Sequence, residues 1–388
     1  MIWINILLFA IGLVMLIKGG DWFVDGAAGI ARRFHLPELL IGATVVSIGT
    51  TLPEVMVSAQ GALSGAGAMA YGNAIGSIIC NTALIAAITV AIKPARTERK
   101  ALVLPITFFF ASAAFYVFVA YFFGEFSRWV GFVLLGIFII YIISTIIQMK
   151  KTPSNEIDGV VETSESVSEE LEKVKHVPIL TLCIEAVIVF VGGGIMIYRG
   201  GAFRWIAIVM LAVFAVYAVL SLVRRFTDKE PFGMLNEIFF MIIGAGVIAG
   251  GANLLVDSGT AIASGFGVPQ SVIALTLVAL GTSLPELVTA ITSLAKGHGA
   301  LSLGNIIGAN LFNLVLVSGV STSISPFGVP SESQIMGYPA SLVLDIPVML
   351  GVMLILTVPP LISKKLYRVQ GIVLLCIYAA FCTLQFVM

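Results

Sequence analysis

Two glutamates stand in nearly the same hexapeptide at two places in the chain. Gly49-Thr50-Thr51-Leu52-Pro53-Glu54 and Gly281-Thr282-Ser283-Leu284-Pro285-Glu286 agree at five positions of six. Each supplies a carboxylate and two hydroxyls, from Thr50 and Thr51 in the first and from Thr282 and Ser283 in the second. Each is also expected to supply backbone. A proline inside a helix removes one hydrogen bond and pushes away the carbonyl four residues back, here that of Gly49 or Gly281, and the carbonyls of Thr50 and Thr282 should loosen with them. Carboxylate, hydroxyl and carbonyl oxygens are hard donors, a set that suits calcium or sodium and not soft metals. The chemistry on offer is cation coordination.

A second motif follows each glutamate at the same distance. Asn73, Ser77 and Asn81 are spaced i, i+4, i+8 and so share one helix face; in the later copy that face carries Asn305, Ala309 and Asn313. Gly72/Gly76 and Gly304/Gly308 are small-x-x-x-small pairs, which let helices approach closely. Upstream, Gly19, Val24, Asp25, Ile30, Ala31, Phe34 and Pro37 meet Gly251, Val256, Asp257, Ile262, Ala263, Phe266 and Pro269 at the same offset of 232 residues. One gapless offset over about ninety residues is duplication.

Composition decides what surrounds these motifs. Of 388 residues 59% are hydrophobic and 11% charged, whereas a soluble domain is nearer half apolar and a quarter charged. The polar residues are too few to cover a soluble surface, so the solvent is lipid. Lys+Arg 21 balances Asp+Glu 21, which gives no reason to expect nucleic acid as a partner. The cysteines Cys80, Cys183, Cys376 and Cys382 are scattered singly and read as small hydrophobes. Runs long enough to cross about 30 Å of hydrocarbon fall near 2–18, 39–63, 71–92, 101–123, 129–149, 177–198, 205–223, 234–254, 271–294, 302–322, 339–362 and 369–388. The first lacks the basic leader and small-residue cleavage site of a signal peptide and is expected to be retained.

If the connectors alternate sides, 18 of the 21 Lys and Arg fall on one side, leaving Arg128, Arg199 and Arg204 on the other. Basic residues stay cytoplasmic, so both termini are expected outside. The expected architecture is an all-α polytopic membrane protein with about twelve spans. An N-terminal repeat takes residues 1–149 (motifs about 40–84), a cytoplasmic polar linker 150–176, two additional spans 177–230, and a C-terminal repeat 231–388 (motifs about 272–316). Seven spans separate the starts of the two copies, an odd number, so the copies thread the membrane in opposite directions and should share a site at mid-bilayer. A carboxylate there costs several kcal/mol and marks an ion pathway. A purely structural pair of glutamates would need basic partners, and neither motif run contains a Lys or Arg.

With VSIGTTLPE and GNAIGSIICN in one copy and VALGTSLPE and GNIIGANLFN in the other, the sequence resembles the calcium/cation antiporter superfamily, of the sodium/calcium exchanger type. The resemblance implies Na+ and Ca2+ as transported ions, with no cofactor. It places calcium on the carboxylates of Glu54 and Glu286 and the carbonyls of Thr50 and Thr282. Flanking sodium sites would involve Ser47, Thr50, Ser77, Ala279 and Thr282, with Asn81 beside the central site. Thr51, Ser283 and Asn313 complete the candidate set. Family members carry Ser at Ala309, so one sodium site loses a hydroxyl. Asn313 stands where potassium-dependent members carry Asp, which argues against potassium co-transport. The family core has ten spans, two fewer than expected here.

The implied activity is Na+/Ca2+ antiport across the cell membrane, with a proton/calcium exchanger at the same site as the alternative. An intramembrane hydrolase would need a nucleophile–base or metal–His constellation, and His35, His176 and His298 lie at span ends or in loops. A passive channel would leave the paired copies unexplained. Asp25 and Asp257 are expected near span ends, and Asp345, Glu185 and Glu237 have no counterpart in the repeat. The oligomeric state is not encoded in any of these patterns. Oppositely threaded copies put the connectors 64–70 and 295–301 on opposite sides. A membrane-impermeant thiol reagent added to intact cells should therefore label a cysteine placed at Ser64 and spare one placed at Lys296; labelling of both would refute the opposed threading.

Overall fold

Lipid offers backbone amides and carbonyls no partners, so apolar runs within it close their hydrogen bonds internally as helices. The computed structural model is built that way. It describes residues 2–33, 38–63, 67–94, 99–151, 179–199, 203–225, 233–265, 281, 283–331 and 334–387. Helical runs among them are α1 (Ile2–Arg33), α2 (38–63), α3 (67–92), α4 (Arg99–Phe122), α5 (Arg128–Lys151), α6 (Ile179–Arg199), α7 (Phe203–Arg225), α8 (Gly233–Gly265), α9 (Leu284–Ala295), α10 (299–324), α11 (341–363) and α12 (Arg368–Val387). Two short antiparallel pairs join β1 (Glu125–Phe126) to β2 (Phe327–Gly328) and β3 (Gln334–Ile335) to β4 (Tyr338–Pro339). Eight of the described helices are long and apolar enough to cross a membrane, and four shorter apolar stretches lie in α2, α6, α7 and α9. The polar linker expected at 150–176 lies, beyond its first two residues, outside the described residues.

The chain divides into two compact units, residues 1–36 with 147–262 and residues 37–146 with 263–388. In the first unit α1 runs for 32 residues and α8 for 33, well past the expected ends at 18 and 254. Hydropathy falls after Lys18 and Leu254, but the helices continue because they pack on each other. Gly12 lies by Gly251 and Gly26 by Glu237 and Met241, so the two helices run antiparallel. A Cβ at Gly12 would sit 3.0 Å from the Gly251 carbonyl oxygen, and one at Gly19 3.1 Å from that of Gly244. At the far end of α1, Arg33 Nε donates to Glu237 Oε2 at 3.0 Å. That pairing gives Glu237 a structural role and puts a cation on a helix C-terminus, where it is favoured. Asp25 and Asp257 accordingly lie within helices, both exposed, and not at their ends. α6 and α7 occupy the place of the two additional runs, and Met15, Val189, Met196, Met210, Phe214 and Val247 form a common apolar core with them.

In the second unit α10 is the centre, buried from Leu301 to Phe312 without a break. α2 lies against it because Gly304 and Gly308 are small: a Cβ at Gly304 would be 3.0 Å from Leu39 Cα, and one at Gly308 2.6 Å from Ala43 Cα. A Cβ added at Gly72 or Gly76 would meet nothing within 4 Å beyond its own helix among the described residues. α5 approaches α10 through Gly131 and Gly319, and α12 approaches α3 through Gly371. Four single π-turns interrupt the helices: Gly42–Val46 in α2, Asn81–Ala86 in α3, Asn313–Val317 in α10 and Ser341–Asp345 in α11. Each leaves backbone carbonyls without their usual partners, and side chains take some of them. Ser47 Oγ donates to Gly42 O at 2.7 Å, Tyr141 Oη to Ala43 O at 2.9 Å and Ser318 Oγ to Asn313 O at 3.2 Å.

The seam between α1 and α8 has no room for side chains. A methyl at Gly244 would stand 2.5 Å from the Phe23 backbone nitrogen and 2.8 Å from Gly19 O, atoms that cannot turn aside. Gly244→Ala should destabilise the protein by about 1–3 kcal/mol and lower its unfolding midpoint in detergent. Gly194→Ala, which meets nothing within 4 Å, should leave that midpoint in place.

Candidate cation site

The first glutamate motif lies in α2, just after the π-turn, and the second at the start of α9. In the first, Ser47, Thr50, Thr51, Glu54 and Ser58 are all buried, on one side of the helix. In the second, Ser283 precedes α9 and Pro285 and Glu286 occupy its first turn. Pro285 thus falls where a helix does not need its N–H, unlike the interior position expected for it. Glu286 meets the positive end of the helix dipole instead. Pro53 does lie inside a helical run. Ala279 and Thr282 are outside the described residues.

Both carboxylates are fully buried, with 0% exposure, and no oxygen of either has a hydrogen-bond partner among the described residues. They are close enough for the charge of one to act on the other. The Thr50 and Thr51 hydroxyls lie near Glu286, within electrostatic reach but outside hydrogen-bonding geometry for Thr51. Asn81 opens the π-turn of α3 and Asn313 that of α10, positions equivalent in the repeat, and both amides are buried with neither polar atom bonded. The hydroxyls of Thr51 and Ser283 are in the same condition. Ser77 is buried beside them in α3, and Ala309 brings a methyl where its counterpart Ser77 brings a hydroxyl.

Buried polar groups are nearly always hydrogen-bonded, and an unpaired buried charge is costly. Here a group of them is left unmatched together, and all can offer oxygen. Among the described residues the ion pairs are Lys18–Asp21 and Arg33–Glu237, neither involving these glutamates. No group of three or more His, Cys, Asp or Glu side chains is gathered anywhere among them. The charge at the site is therefore that of two carboxylates, matched by one divalent or two monovalent cations.

Three features escape sequence inspection. Ser58 binds Asn73 Nδ2 at 2.7 Å, and its place one turn after Glu54 was the available clue. Asn310 Nδ2 donates to Thr82 Oγ1 at 2.7 Å. Cys80 lies next to Ser283 and within reach of Glu286. Nothing in residue type announces the π-turns. Of the unrepeated acids, Asp345 accepts from Gln385 Nε2 at 2.8 Å, while Glu185 is buried in α6, away from the motifs in sequence.

The chain matches the profile of the sodium/calcium exchanger protein family over residues 4–147 and 236–387. It belongs to that family. Among relatives of this exchanger-family chain, "Sodium/calcium exchanger MaX1" of Methanosarcina acetivorans is 28% identical over 387 residues, covering 100% of this chain and 99% of the other. "Putative antiporter CaxA" of Alkalimonas amylolytica is 29% identical over 320 residues, 81% of this chain and 79% of its own length. Among solved structures, the sodium-calcium exchanger NCX_Mj soaked with 2.5 mM Na+ and 10 mM Sr2+ superposes with a TM-score of 0.69 at 26% identity, covering 98% of each chain. The exchanger-family chain is a multi-pass integral membrane protein, and family and fold together support cation/Ca2+ antiport. α6, α7 and the polar linker fall between the two stretches that match the family.

The approach of α2 to α10 holds Ser47 in place, since a Cβ at Gly308 would strike Ser47 Oγ. Gly308→Ala should cost about 1–3 kcal/mol of local packing and weaken cation binding by roughly tenfold or more. Equilibrium Ca2+ binding to the purified protein would measure it, with Gly136→Ala, which meets nothing within 4 Å, as the silent control.

Proposed function

We propose that the protein is a secondary active antiporter exchanging Na+ for Ca2+ by alternating access, with the ions held between Glu54 and Glu286 at mid-bilayer. The observation that carries this is the pair of fully buried, unpartnered carboxylates ringed by unmatched hydroxyls and amides. Thr50, Thr51, Ser283, Asn81, Asn313, Ser47 and Ser77 are the neutral donors in this reading, with the carbonyls of Thr50 and Thr282 and the backbone at Ala279 from the family resemblance.

The coupling is electrostatic. An empty site cannot pass through an occluded intermediate with two charges uncompensated in a low dielectric. One Ca2+, or two or more Na+, removes that barrier. Only loaded carriers then switch sides, so one ion moves in exchange for the other, and an inward sodium gradient drives calcium out. The membrane would be the cell membrane, with both termini outside.

The switch itself rests on two inverted repeats of about five spans, residues 1–149 and 231–388, with α6 and α7 as additional spans between them. The α1–α8 seam supports this. Exchanging the copies turns the contact of Gly12 with Gly251 into that of Gly244 with Gly19, and both contacts are present. Opposed threading also supplies the mechanism, because swapping the two halves' conformations exchanges the side to which the site opens.

A proton/calcium exchanger using the same glutamates is favoured by one observation: Ala309 is buried on the site-facing helix and has no hydroxyl for sodium. Calcium efflux from proteoliposomes under sodium, potassium and proton gradients in turn separates the two. Sodium alone should drive it; a proton gradient driving it without sodium would establish the alternative. Replacing Glu54 or Glu286 by Gln leaves one charge against a divalent ion. Removing one member of a buried charge pair costs about 3–5 kcal/mol, so flux should fall by at least about 100-fold. Near-normal exchange in either variant would refute the site.

A further inference from the structure

Asn305 reaches from α10 to the first glutamate motif. Its Oδ1 accepts from Thr50 Oγ1 at 3.2 Å and from Ser47 Oγ at 3.3 Å, and its backbone oxygen accepts from Ser47 Oγ at 2.9 Å. Gly42 O also accepts from Ser47, at 2.7 Å. Asn305 is fully buried. A hydroxyl carries one proton and two lone pairs. Every partner of Ser47 Oγ is an acceptor, and so is every partner of Thr50 Oγ1, which faces Ser47 O and Asn305 Oδ1. Ser47 has one proton, and Gly42 O and the Asn305 backbone oxygen are both nearer to its Oγ than Asn305 Oδ1 is. For Thr50 Oγ1, Oδ1 is nearer than Ser47 O, and a Thr50 proton turned to it leaves that hydroxyl to face a cation as an acceptor.

The repeat counterpart of Asn305 does a different job on the same helix. Asn73 Nδ2 donates to the backbone oxygen of Glu54 at 3.2 Å and to Ser58 Oγ at 2.7 Å. One asparagine from each copy thus converges on α2. The second copy lacks two of the hydroxyls needed to return the arrangement, because Ala279 and Ala290 stand where Ser47 and Ser58 stand. The Ser47 and Ser58 hydroxyls thus have no counterpart in the second copy, whereas the carboxylates come from both.

We propose that Asn305 is a positioning residue for monovalent ions: its side chain turns the Thr50 hydroxyl into an acceptor and thereby sets sodium affinity, without itself coordinating the ion. Its side chain makes no contact with the carboxylates in the hydrogen-bond pattern, so divalent binding is left to Glu54 and Glu286. This rests on the reading that those glutamates hold the transported cation.

The test is equilibrium Ca2+ binding to the purified full-length protein and its displacement by Na+. In Asn305→Ala, half-displacement should need about tenfold more Na+ while the Ca2+ dissociation constant moves by less than about twofold, the loss of roughly one hydrogen bond's orientation. Asn305→Gln keeps a neutral amide oxygen and should restore part of the Na+ displacement. Thr50→Val, which keeps the backbone carbonyl, should add nothing in the Asn305→Ala background although it weakens Na+ displacement alone. If Asn305→Ala does not fold, Asn305→Ser, too short to reach Thr50 Oγ1, replaces it with the same expectation. A proportional loss of both ions, or no change in either, overturns the proposal. Glu54→Gln is the separate arm for the underlying reading. If it binds Ca2+ as the unmodified protein does, that reading fails; if it loses Ca2+ while Asn305→Ala leaves Na+ displacement unchanged, only the positioning role fails.

Discussion

Two carboxyl groups enclosed with no basic partner among the described residues are the constraint from which the rest of the second unit follows. In lipid neither Glu54 nor Glu286 can be relieved by water at the surface, and in the proposed reading the place of a basic partner is left to the transported ion. The surrounding groups are accordingly neutral and rich in oxygen. Threonine, serine and asparagine can solvate a cation without contributing charge, so the total stays at two and suits one calcium or a pair of sodium ions.

Holding those groups in register needs backbones that come close. Glycine does this at each principal crossing of the second unit: Gly304 and Gly308 where α2 meets α10, Gly131 and Gly319 where α5 meets α10, Gly371 where α12 meets α3. Without a hydrophobic force between helices in lipid, close packing and interhelical hydrogen bonds must do the work. Tyr141 reaching Ala43 O and Asn305 reaching Ser47 are bonds of this kind. The same approach that lets the helices associate also sets the Thr50 hydroxyl between Asn305 and Glu286.

Much of this was legible in the residues because lipid makes polarity rare. Against an apolar background Glu54 and Glu286 stand out, and repetition of their hexapeptide removes chance as an explanation. The asparagines at 81 and 313 were found in the same way, by helical spacing shared between copies. Helix ends were read less well, since hydropathy reports the solvent and not the neighbour: α1 and α8 continue past Lys18 and Leu254 because each packs on the other's glycines. The two prolines look alike in sequence, yet Pro285 opens a helix while Pro53 lies within one. Hydrogen-bond partners such as Asn305 with Thr50 depend on which helices cross, and no local pattern encodes that.

The π-turns carry a chronology. A turn of this kind holds one residue more than the regular helix around it and rotates everything downstream, so it is ordinarily the trace of an inserted residue. Asn81 and Asn313 each begin one, at matched places in two stretches that otherwise align without a gap. The most economical history is that the surplus residue was already present in a half-length ancestor. Gene doubling then copied a helix that was irregular from the start, and with it the asparagine that the irregularity presents.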